Sequence, residues 1–332
     1  MSAPLVDRFG RVHRDLRISL TDRCSLRCTY CMPADGVPWL AGSTMLSTPE
    51  IVRVARVAVE AGVTEIRLTG GEPLLRADIV DVVARLATLE GEEGRVEVSL
   101  TTNALRLPGL AAPLRDAGLA RVNVSLDTLD RERFATLTRR DRLHDTLAGI
   151  AAADSVGLSP IKLNAVAMRG VNDDEVVDLV RFAVERGYQM RFIEQMPLDA
   201  GHTWDRTTMV TQAEILERLR GAFRLEEVPG RGSAPAELWY VDGGPHTVGV
   251  IASVTAPFCG ACDRVRLTAD GQLRNCLFAQ DETDLRTLMR EGRSDAELDA
   301  ALRAAIAGKK AGHGIDDPGF LQPRRPMSAI GG

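Results

Sequence analysis

The sequence is poor in aromatic residues and contains no long apolar run. Aromatic residues make up 4% of the 332 residues, so aliphatic side chains must fill the core. No stretch approaches the roughly 18 apolar residues that a membrane helix needs. Residues 1–16 lack the apolar segment of a secretory signal. We therefore expect a cytoplasmic globular chain that does not bind a membrane.

A strong excess of one charge is also lacking. The formal net charge is −5 and charged residues make up 26%, which gives no support for nucleic-acid binding. The phosphate-loop spacing G-x-x-x-x-G-K-[ST] is absent, and none of the five histidines falls in a metal-ligand pattern. Cysteine is therefore the residue type whose placement says most about chemistry.

The six cysteines form two groups of three, which are Cys24, Cys28 and Cys31, and Cys259, Cys262 and Cys276. In a reducing compartment, such clusters indicate metal ligands or catalysts more often than disulfides. A structural zinc site normally closes with four ligands. Three thiolates on a cubane of four irons would instead leave one iron open to a small molecule. For the second group zinc remains a serious alternative, because Cys-x2-Cys is common in zinc ribbons.

Strands and helices alternate through the first two thirds of the chain. The six predicted strands are 16–20, 63–69, 96–101, 121–126, 161–167 and 189–194. Alternation predicts a parallel sheet covered by helices, and six units fall short of the eight that close a full barrel. We predict an α/β fold with a partial (β/α)6 TIM-type barrel over residues 1–210. A doubly wound open sheet is the structural alternative.

The alternation ends near Thr211, where Gly- and Pro-rich sequence begins. Residues 211–332 predict a small C-terminal α+β domain that carries the second cysteine group. Its expected elements are short strands at 237–241 and 247–254 and helices at 281–290 and 296–307.

Polar residues collect where the predicted strands end and on one face within them. Active sites of parallel α/β folds lie at the carboxyl ends of the strands. Within the strands, Arg17, Arg67 and Lys162 fall on the face opposite the apolar residues. Buried cations need partners, so the set indicates an anionic substrate inside the barrel. Each cation taken alone could instead pair with a local carboxylate.

These motifs carry a family resemblance. The loop at 24–33 (CSLRCTYCMP) is similar to the signature of radical S-adenosylmethionine (SAM) enzymes. Other segments resemble the GTP 3′,8-cyclase family of molybdenum cofactor biosynthesis, namely RLTGGEPLLR (67–76), VSLD (124–127), IKLN (161–164), RFIEQMP (191–197), FCGACDRVRL (258–267) and MSAIGG (327–332). The resemblance runs from about residue 8 to the last residue. It departs at Ala104, where glycine is frequent, and at Gln195, where tyrosine is frequent.

The resemblance implies a lyase that converts GTP to 3′,8-cyclo-7,8-dihydro-GTP. It implies two 4Fe–4S clusters, each with three cysteine ligands and one open iron, and SAM as cofactor. Reductive cleavage of SAM would give a 5′-deoxyadenosyl radical that removes the 3′ hydrogen of GTP. The open iron of the second cluster would hold the guanine base.

The resemblance also implies roles for individual residues. The ligands of the two clusters would be Cys24, Cys28 and Cys31, and Cys259, Cys262 and Cys276. The contacts of SAM would be Tyr30, Gly71, Glu72, Ser125 and Met196. The contacts of GTP would be Arg17, Arg67, Thr102, Lys162, Arg191, Arg264, Val265 and Arg266. The terminal Gly331 and Gly332 would form a flexible tail that enters the active site and is needed for activity.

The implied partners are GTP, an external electron donor of reductase or flavodoxin type, and cyclic pyranopterin monophosphate synthase as the next enzyme. A homodimer is a candidate assembly. One alternative is another radical SAM enzyme with an auxiliary cluster, such as a peptide maturase; the lumen cations favour a triphosphate substrate over a peptide. Another is a non-enzymatic zinc-binding module, which the six β/α units argue against.

Overall fold

One large sheet organises the chain in the computed structural model, which describes residues 3–331. The strands within these residues are β1 Asp15–Ser19, β2 Glu65–Thr69, β3 Glu90–Gly91, β4 Gly94–Arg95, β5 Glu97–Thr102, β6 Arg121–Ser125, β7 Lys162–Ala167, β8 Gln189–Glu194, β9 Leu225–Glu227, β10 Glu237–Val241, β11 Thr247–Ile251, β12 Arg264–Leu267, β13 Gln272–Arg274 and β14 Thr283–Asp284. The helices are α1 Thr48–Glu60, α2 Ile79–Leu86, α3 Leu107–Asp116, α4 Arg131–Thr138, α5 Leu143–Ser155, α6 Val176–Glu185, α7 Gln212–Arg220, α8 Leu285–Arg290, α9 Asp295–Ala307 and α10 Met327–Ile330.

The six predicted β/α units are confirmed as a partial barrel. Strands β1, β2, β5, β6, β7 and β8 are neighbours in that order, and every pair among them is parallel. Helices separate successive strands along the chain, as parallel pairing requires. The sheet ends in β14 on one side and β9 on the other, which are not paired with each other, so the barrel is open.

The C-terminal strands extend this sheet at both of its edges. Strand β12 pairs in parallel with β1, and β11 pairs in parallel with β8. Antiparallel strands then continue outward from each. Cys259 and Cys262 precede β12, and Cys276 follows β13. The pairing of β12 with β1 therefore brings the second cysteine group beside the barrel.

Alternating side chains divide the strands between a core and a lumen. In β2, Ile66 and Leu68 are completely buried in the apolar core, whereas Arg67 between them lines a cavity. Sparse aromatics are consistent with this core, whose buried side chains are mostly Leu, Val and Ile. The lumen is therefore the polar face of the sheet.

Local signals set the helix boundaries. Ser47 and Glu50 form a capping box at the start of α1, in which each side chain accepts a hydrogen bond from the other residue's backbone N–H. One predicted helix is shorter than expected, since the segment at 281–290 gives α8 Leu285–Arg290. Within the described part of the chain, every helix is too short or too polar to cross a membrane.

Candidate functional site

The first cysteine group lies in the loop after β1 and lines one pocket, here called the cysteine pocket. Cys24, Cys28 and Cys31 share its wall with the ends of β2, β5 and β6. The other residues that line it are Leu26, Tyr30, Met32, Thr69, Gly70, Gly71, Glu72, Thr101, Thr102, Asn103, Ser125, Met327 and Ser328. Four of the five residues predicted to contact SAM therefore lie beside the cysteine group.

The loop after β2 approaches the cysteine loop so closely that it needs glycine. A Cβ atom on Gly71 would lie 2.3 Å from the carbonyl oxygen of Arg23 and 2.6 Å from that of Asp22. In the structure, Gly71 N–H donates to Thr21 O and Glu72 N–H donates to Arg23 O, at 2.8 and 2.7 Å. These contacts fix the cysteine loop to the end of the sheet.

The three thiols fit a group that supplies positive charge. Burial raises the pKa of Cys24 to about 11, and burial together with the charge of Cys24 raises that of Cys31 to about 12. Burial also raises the pKa of Cys28, to which the other two thiolates add repulsion. Three buried thiolates need a cationic partner to coexist, and the irons of a cubane cluster provide it.

Two buried carboxylates support the cysteine pocket: Glu72 lines it, and Asp127 binds Tyr30 of its wall. Glu72 accepts hydrogen bonds from Thr102 Oγ1 at 2.7 Å and from Asn103 N at 2.8 Å. Asp127 accepts one from Tyr30 Oη at 2.8 Å. Burial raises the pKa of each carboxyl to about 6, and the hydrogen bonds oppose the rise. Both carboxylates are held in fixed positions at the carboxyl end of the sheet.

A second cavity, here called the arginine cavity, occupies the lumen next to the cysteine pocket. Thr101 and Met327 line both. Its polar wall consists of Arg17, Arg67, Asn123, Asn164, Arg191, Ser253, Arg264, Arg266 and His313. The second cysteine group, Cys259, Cys262 and Cys276, lines the same cavity. The two cysteine groups thus border adjoining spaces, and five guanidinium groups line the space next to the second.

Some of these guanidinium groups have unused donors. Arg17 Nε, Arg264 Nη2 and Arg266 Nε are buried and have no hydrogen-bond partner among the described residues. Asp15 is the carboxylate beside them, with Oδ2 3.6 Å from Arg17 Nε. One carboxylate cannot balance several arginines, and buried unpaired donors are costly. The arrangement therefore fits an anionic ligand.

Three other predicted GTP contacts, Lys162, Thr102 and Val265, are not among the residues that line this cavity. Lys162 is half-buried at the start of β7 and makes no hydrogen bond or ion pair within residues 3–331. Burial lowers its pKa to about 8, and the charges of Arg191, Arg121 and Arg67 add to the shift. Thr102 lines the cysteine pocket instead. The Val265 side chain packs in the hydrophobic core, so only its backbone is available to a ligand.

Met196 is the predicted SAM contact that the structure places elsewhere. It follows β8, as the sequence indicates, but lines the arginine cavity and not the cysteine pocket. It packs against Leu198, Leu277 and Ile330. Since Met327 from the same apolar cluster borders both spaces, Met196 lies near their junction.

The second cysteine group is surrounded by cations. Burial acts to raise the pKa of Cys262, but Arg264, Lys309 and Arg266 outweigh it and lower the pKa to about 7. Burial raises that of Cys259. A thiolate is the ligand form of cysteine, so Cys262 is prepared to bind metal.

Neither cysteine group is arranged around a single metal ion. Within residues 3–331, no three cysteine, histidine or carboxylate side chains could hold one ion together. All six cysteines are free thiols. A cubane does not require such convergence, because each thiolate binds a different iron.

The described part of the C-terminal tail reaches the lumen at Gly331. Gly331 is buried and donates from its N–H to Met327 O at 2.9 Å, closing the short helix α10. Gly332, the second residue of the predicted tail, lies outside the described residues. The position of Gly331 agrees with a tail that reaches the active-site region.

Sequence reasoning assigned no role to several polar residues of the site. Lys309 is buried against Cys262, and Asn103 Nδ2 lies 3.9 Å from Cys24 Sγ. His313 lines the arginine cavity, and its Nδ1 accepts from Ile315 N. The sequence places Asn103 at a strand end, among the polar residues expected to collect there, without indicating what it binds. Lys309 and His313 lie outside any motif that we recognised.

Comparison with known families agrees with this geometry. The model of the radical SAM superfamily matches residues 18–183, and that of Molybdenum Cofactor Synthesis C matches residues 188–315. The chain is thus a radical SAM protein, a class that uses a 4Fe–4S cluster and SAM.

Curated relatives show which family of the radical SAM class this chain belongs to. The GTP 3′,8-cyclase of Streptomyces coelicolor is 60% identical over 99% of this chain and 96% of its own length. The GTP 3′,8-cyclase 2 of Mycobacterium tuberculosis is 57% identical over 100% of this chain and 93% of its own. The GTP 3′,8-cyclase of Mycobacterium sp. (strain KMS) is 56% identical over 100% of this chain and 94% of its own length. The chain belongs to the GTP 3′,8-cyclase family.

Solved structures share the fold at low sequence identity. Streptococcus suis SuiB bound to S-adenosylmethionine has a TM-score of 0.61 and 16% identity over 92% of this chain and 68% of that chain. SuiB bound to the precursor peptide SuiA has a TM-score of 0.62 and 15% identity over 91% of this chain and 69% of that chain. At this identity the likeness shows the fold alone.

Proposed function

We propose that this chain converts GTP to 3′,8-cyclo-7,8-dihydro-GTP in the first step of molybdenum cofactor biosynthesis. The observation that carries the proposal is the pair of adjoining spaces in one lumen. One is bordered by Cys24, Cys28 and Cys31, and the other by five arginines and the second cysteine group. This arrangement suits a radical source beside an anionic substrate.

In this proposal the cysteine pocket holds the first cluster and SAM. Cys24, Cys28 and Cys31 bind three irons and leave the fourth to SAM. Tyr30, Gly71, Glu72 and Ser125 contact SAM from the surrounding wall, and Met196 contacts it from the junction with the arginine cavity. Bound there, SAM supplies the radical that abstracts hydrogen from the substrate. Burial of the pocket excludes water from this chemistry.

The arginine cavity holds GTP. Its triphosphate would be bound by Arg17, Arg67, Lys162, Arg191, Arg264 and Arg266, with Thr102 and the backbone of Val265 as further contacts. Guanidinium groups bind phosphate oxygens through paired donors, and the unpaired buried nitrogens of Arg17, Arg264 and Arg266 support this role.

A second 4Fe–4S cluster is proposed at Cys259, Cys262 and Cys276, which would hold it and leave one iron open to the guanine base. The support is that all three cysteines line the arginine cavity, and that cations lower the pKa of Cys262 to about 7 despite burial. Three ligands and an open cavity leave room for a substrate atom at the fourth iron.

The remaining parts of the proposal concern context. Six free cysteines suit a reducing compartment, such as the cytoplasm. An external electron donor of reductase or flavodoxin type and cyclic pyranopterin monophosphate synthase are the expected partners, and a homodimer is the candidate assembly. We place the boundary between the barrel and the C-terminal domain at residue 210.

The test begins with iron, sulfide and zinc analysis of protein purified without oxygen. Triple alanine variants of each cysteine group are the matched controls, and each should lose one cluster. Wild type given GTP, SAM and a reductant should yield the cyclised nucleotide by mass spectrometry. Zinc in the second site of fresh protein, or turnover of candidate peptides but not GTP, would contradict the assignment.

A further inference from the structure

Lys309 is a buried lysine whose donors all meet the loop of the second cysteine group. The residue lies just after α9 in sequence and is 3% exposed. Nζ lies 3.4 Å from Cys262 Sγ, 3.3 Å from Cys262 O and 2.8 Å from Arg264 O. The three N–H groups of an ammonium thus have three acceptors, and one of them is a cysteine sulfur.

No carboxylate within residues 3–331 forms an ion pair with Lys309. Arg264 and Arg266, which with Lys309 act on Cys262, are cations and cannot balance the ammonium. Buried lysines are almost always paired with an anion, because an isolated charge is costly in a low-dielectric interior. The anion that balances Lys309 must therefore lie at the second cysteine group.

The chain around Lys309 is fixed to this cysteine group from two sides. Arg11 donates to the carbonyls of Lys310, Ala311 and Cys259, at 2.7, 3.1 and 2.6 Å. Asn275, the neighbour of Cys276, donates to Ala305 O at 2.7 Å. The ammonium is thus held at Cys262 by backbone contacts that do not depend on its own side chain.

We propose that Lys309 is a positioning residue that holds Cys262 as a ligand and raises the reduction potential of the second cluster. The inference rests on the second cluster of the proposed function. Reduction adds one negative charge to a cluster, and a cation that donates N–H to a ligand sulfur stabilises this reduced state. Net charge, hydrogen bonds to sulfur and solvent exposure are the factors that set such potentials.

The test compares Lys309→Met, which keeps the length but removes the charge, with Lys309→Arg, which keeps the charge. Lys310→Met is the matched control, because Lys310 is the exposed neighbour. Reduction potentials are measured by electron paramagnetic resonance during redox titration without oxygen. Repeating the titration in a Cys24→Ala, Cys28→Ala, Cys31→Ala background assigns the signal of the second cluster.

In Lys309→Met we expect the second cluster to shift about tenfold toward its oxidised form, a potential lower by about 59 mV. The first cluster should not change, and Lys309→Arg and Lys310→Met should stay near wild type. Loss of the second cluster in Lys309→Met but not in Lys309→Arg would also support the proposal, since charge would then be what retains it.

Two results would overturn the inference. One is an unchanged potential in a Lys309→Met protein that keeps both clusters. The other is equal loss of the second cluster in Lys309→Met and Lys309→Arg, which would mean that Lys309 acts through packing. Failure of the proposed function looks different, because wild type itself would then lack the second cluster.

Discussion

Gly331 lies directly against Thr69 in the lumen of the barrel. A Cβ atom on Gly331 would be 2.5 Å from Thr69 Oγ1 and 3.0 Å from Ser19 Cβ, and its φ of +87° is one that glycine adopts readily. Thr69 and Ser19 end strands β2 and β1, so Gly331 meets the sheet where the cysteine loop also begins.

Deleting Gly331 and Gly332 should abolish cyclisation of GTP while both clusters remain. Gly331 lies against the ends of β1 and β2, so the deletion should change the reaction space and leave the cysteine ligands in place. Product formation by mass spectrometry and iron content per chain measure the two effects. Gly319→Ala, where a Cβ meets nothing within 4 Å, is the control in the same region. Full turnover by the truncated protein would contradict this role of the tail.

Gly71→Ala should cost the protein its first cluster. The added Cβ would meet the backbone of Arg23 and Asp22, which cannot rotate away as a side chain would, so the cysteine loop must shift. Iron analysis should show loss of the first cluster with retention of the second. Gly109→Ala in α3 adds the same atom in open space and should keep both. Normal iron content in Gly71→Ala would show that the loop can relax.

The six barrel strands and the cations of the lumen could be predicted from the sequence, because both follow from local periodicity. Polar residues on one face of each strand, such as Arg17 and Arg67, are set by the alternation itself. The capping box of Ser47 and Glu50 is likewise readable from residues three apart. The family resemblance then supplied roles that periodicity alone does not give.

Long-range packing is what the sequence did not reveal. Nothing local in β11 or β12 indicates that one will join β8 and the other β1. Lys309 follows a helix and precedes another lysine, a pattern typical of a solvated surface. It is nevertheless buried, and Arg11, almost 300 residues away in sequence, holds this part of the chain through the carbonyls of the next two residues.

Glu194→Gln should weaken the second cluster site. Glu194 is fully buried at the end of β8 and accepts from the backbone N–H groups of Gln212, Val254 and Thr255, at 2.8, 2.9 and 2.9 Å. In glutamine an NH2 group replaces one of the two acceptor oxygens, and its hydrogens would face backbone N–H groups. The unpaired buried donors should lower the free energy of unfolding by about 1–3 kcal/mol. Denaturant unfolding should show this loss of stability.

The same substitution should lower iron retention at the second group, since Thr255 leads into the loop of Cys259. Glu185→Gln is the control, because that carboxylate is exposed on α6. If the Glu194→Gln protein matched wild type in both stability and iron content, the strand end and the cysteine loop would not be coupled through this carboxylate.

Lys162 should make GTP binding sensitive to alkaline pH. Its pKa of about 8 lies below the ordinary 10.5, because burial and then Arg191, Arg121 and Arg67 disfavour the ammonium, with Glu65 opposing them. Without ligand, the unfolded chain binds more protons than the folded one between these values, so Lys162 makes the free energy of unfolding rise with pH there. Bound phosphate reverses the preference, because it stabilises the ammonium.

GTP affinity should therefore be full below pH 8 and fall by up to about tenfold per unit above it, until the pKa of the bound state is reached. Equilibrium dialysis of GTP against oxygen-free protein from pH 7 to 9.5 measures this fall. Lys162→Arg, which stays charged throughout, should bind with a flatter profile, whereas Lys162→Met should bind weakly at every pH and also lack the fall. If Lys162→Met showed the same dependence of GTP affinity on pH as wild type, Lys162 would not bind the triphosphate. The arginines alone would then be its cationic partners.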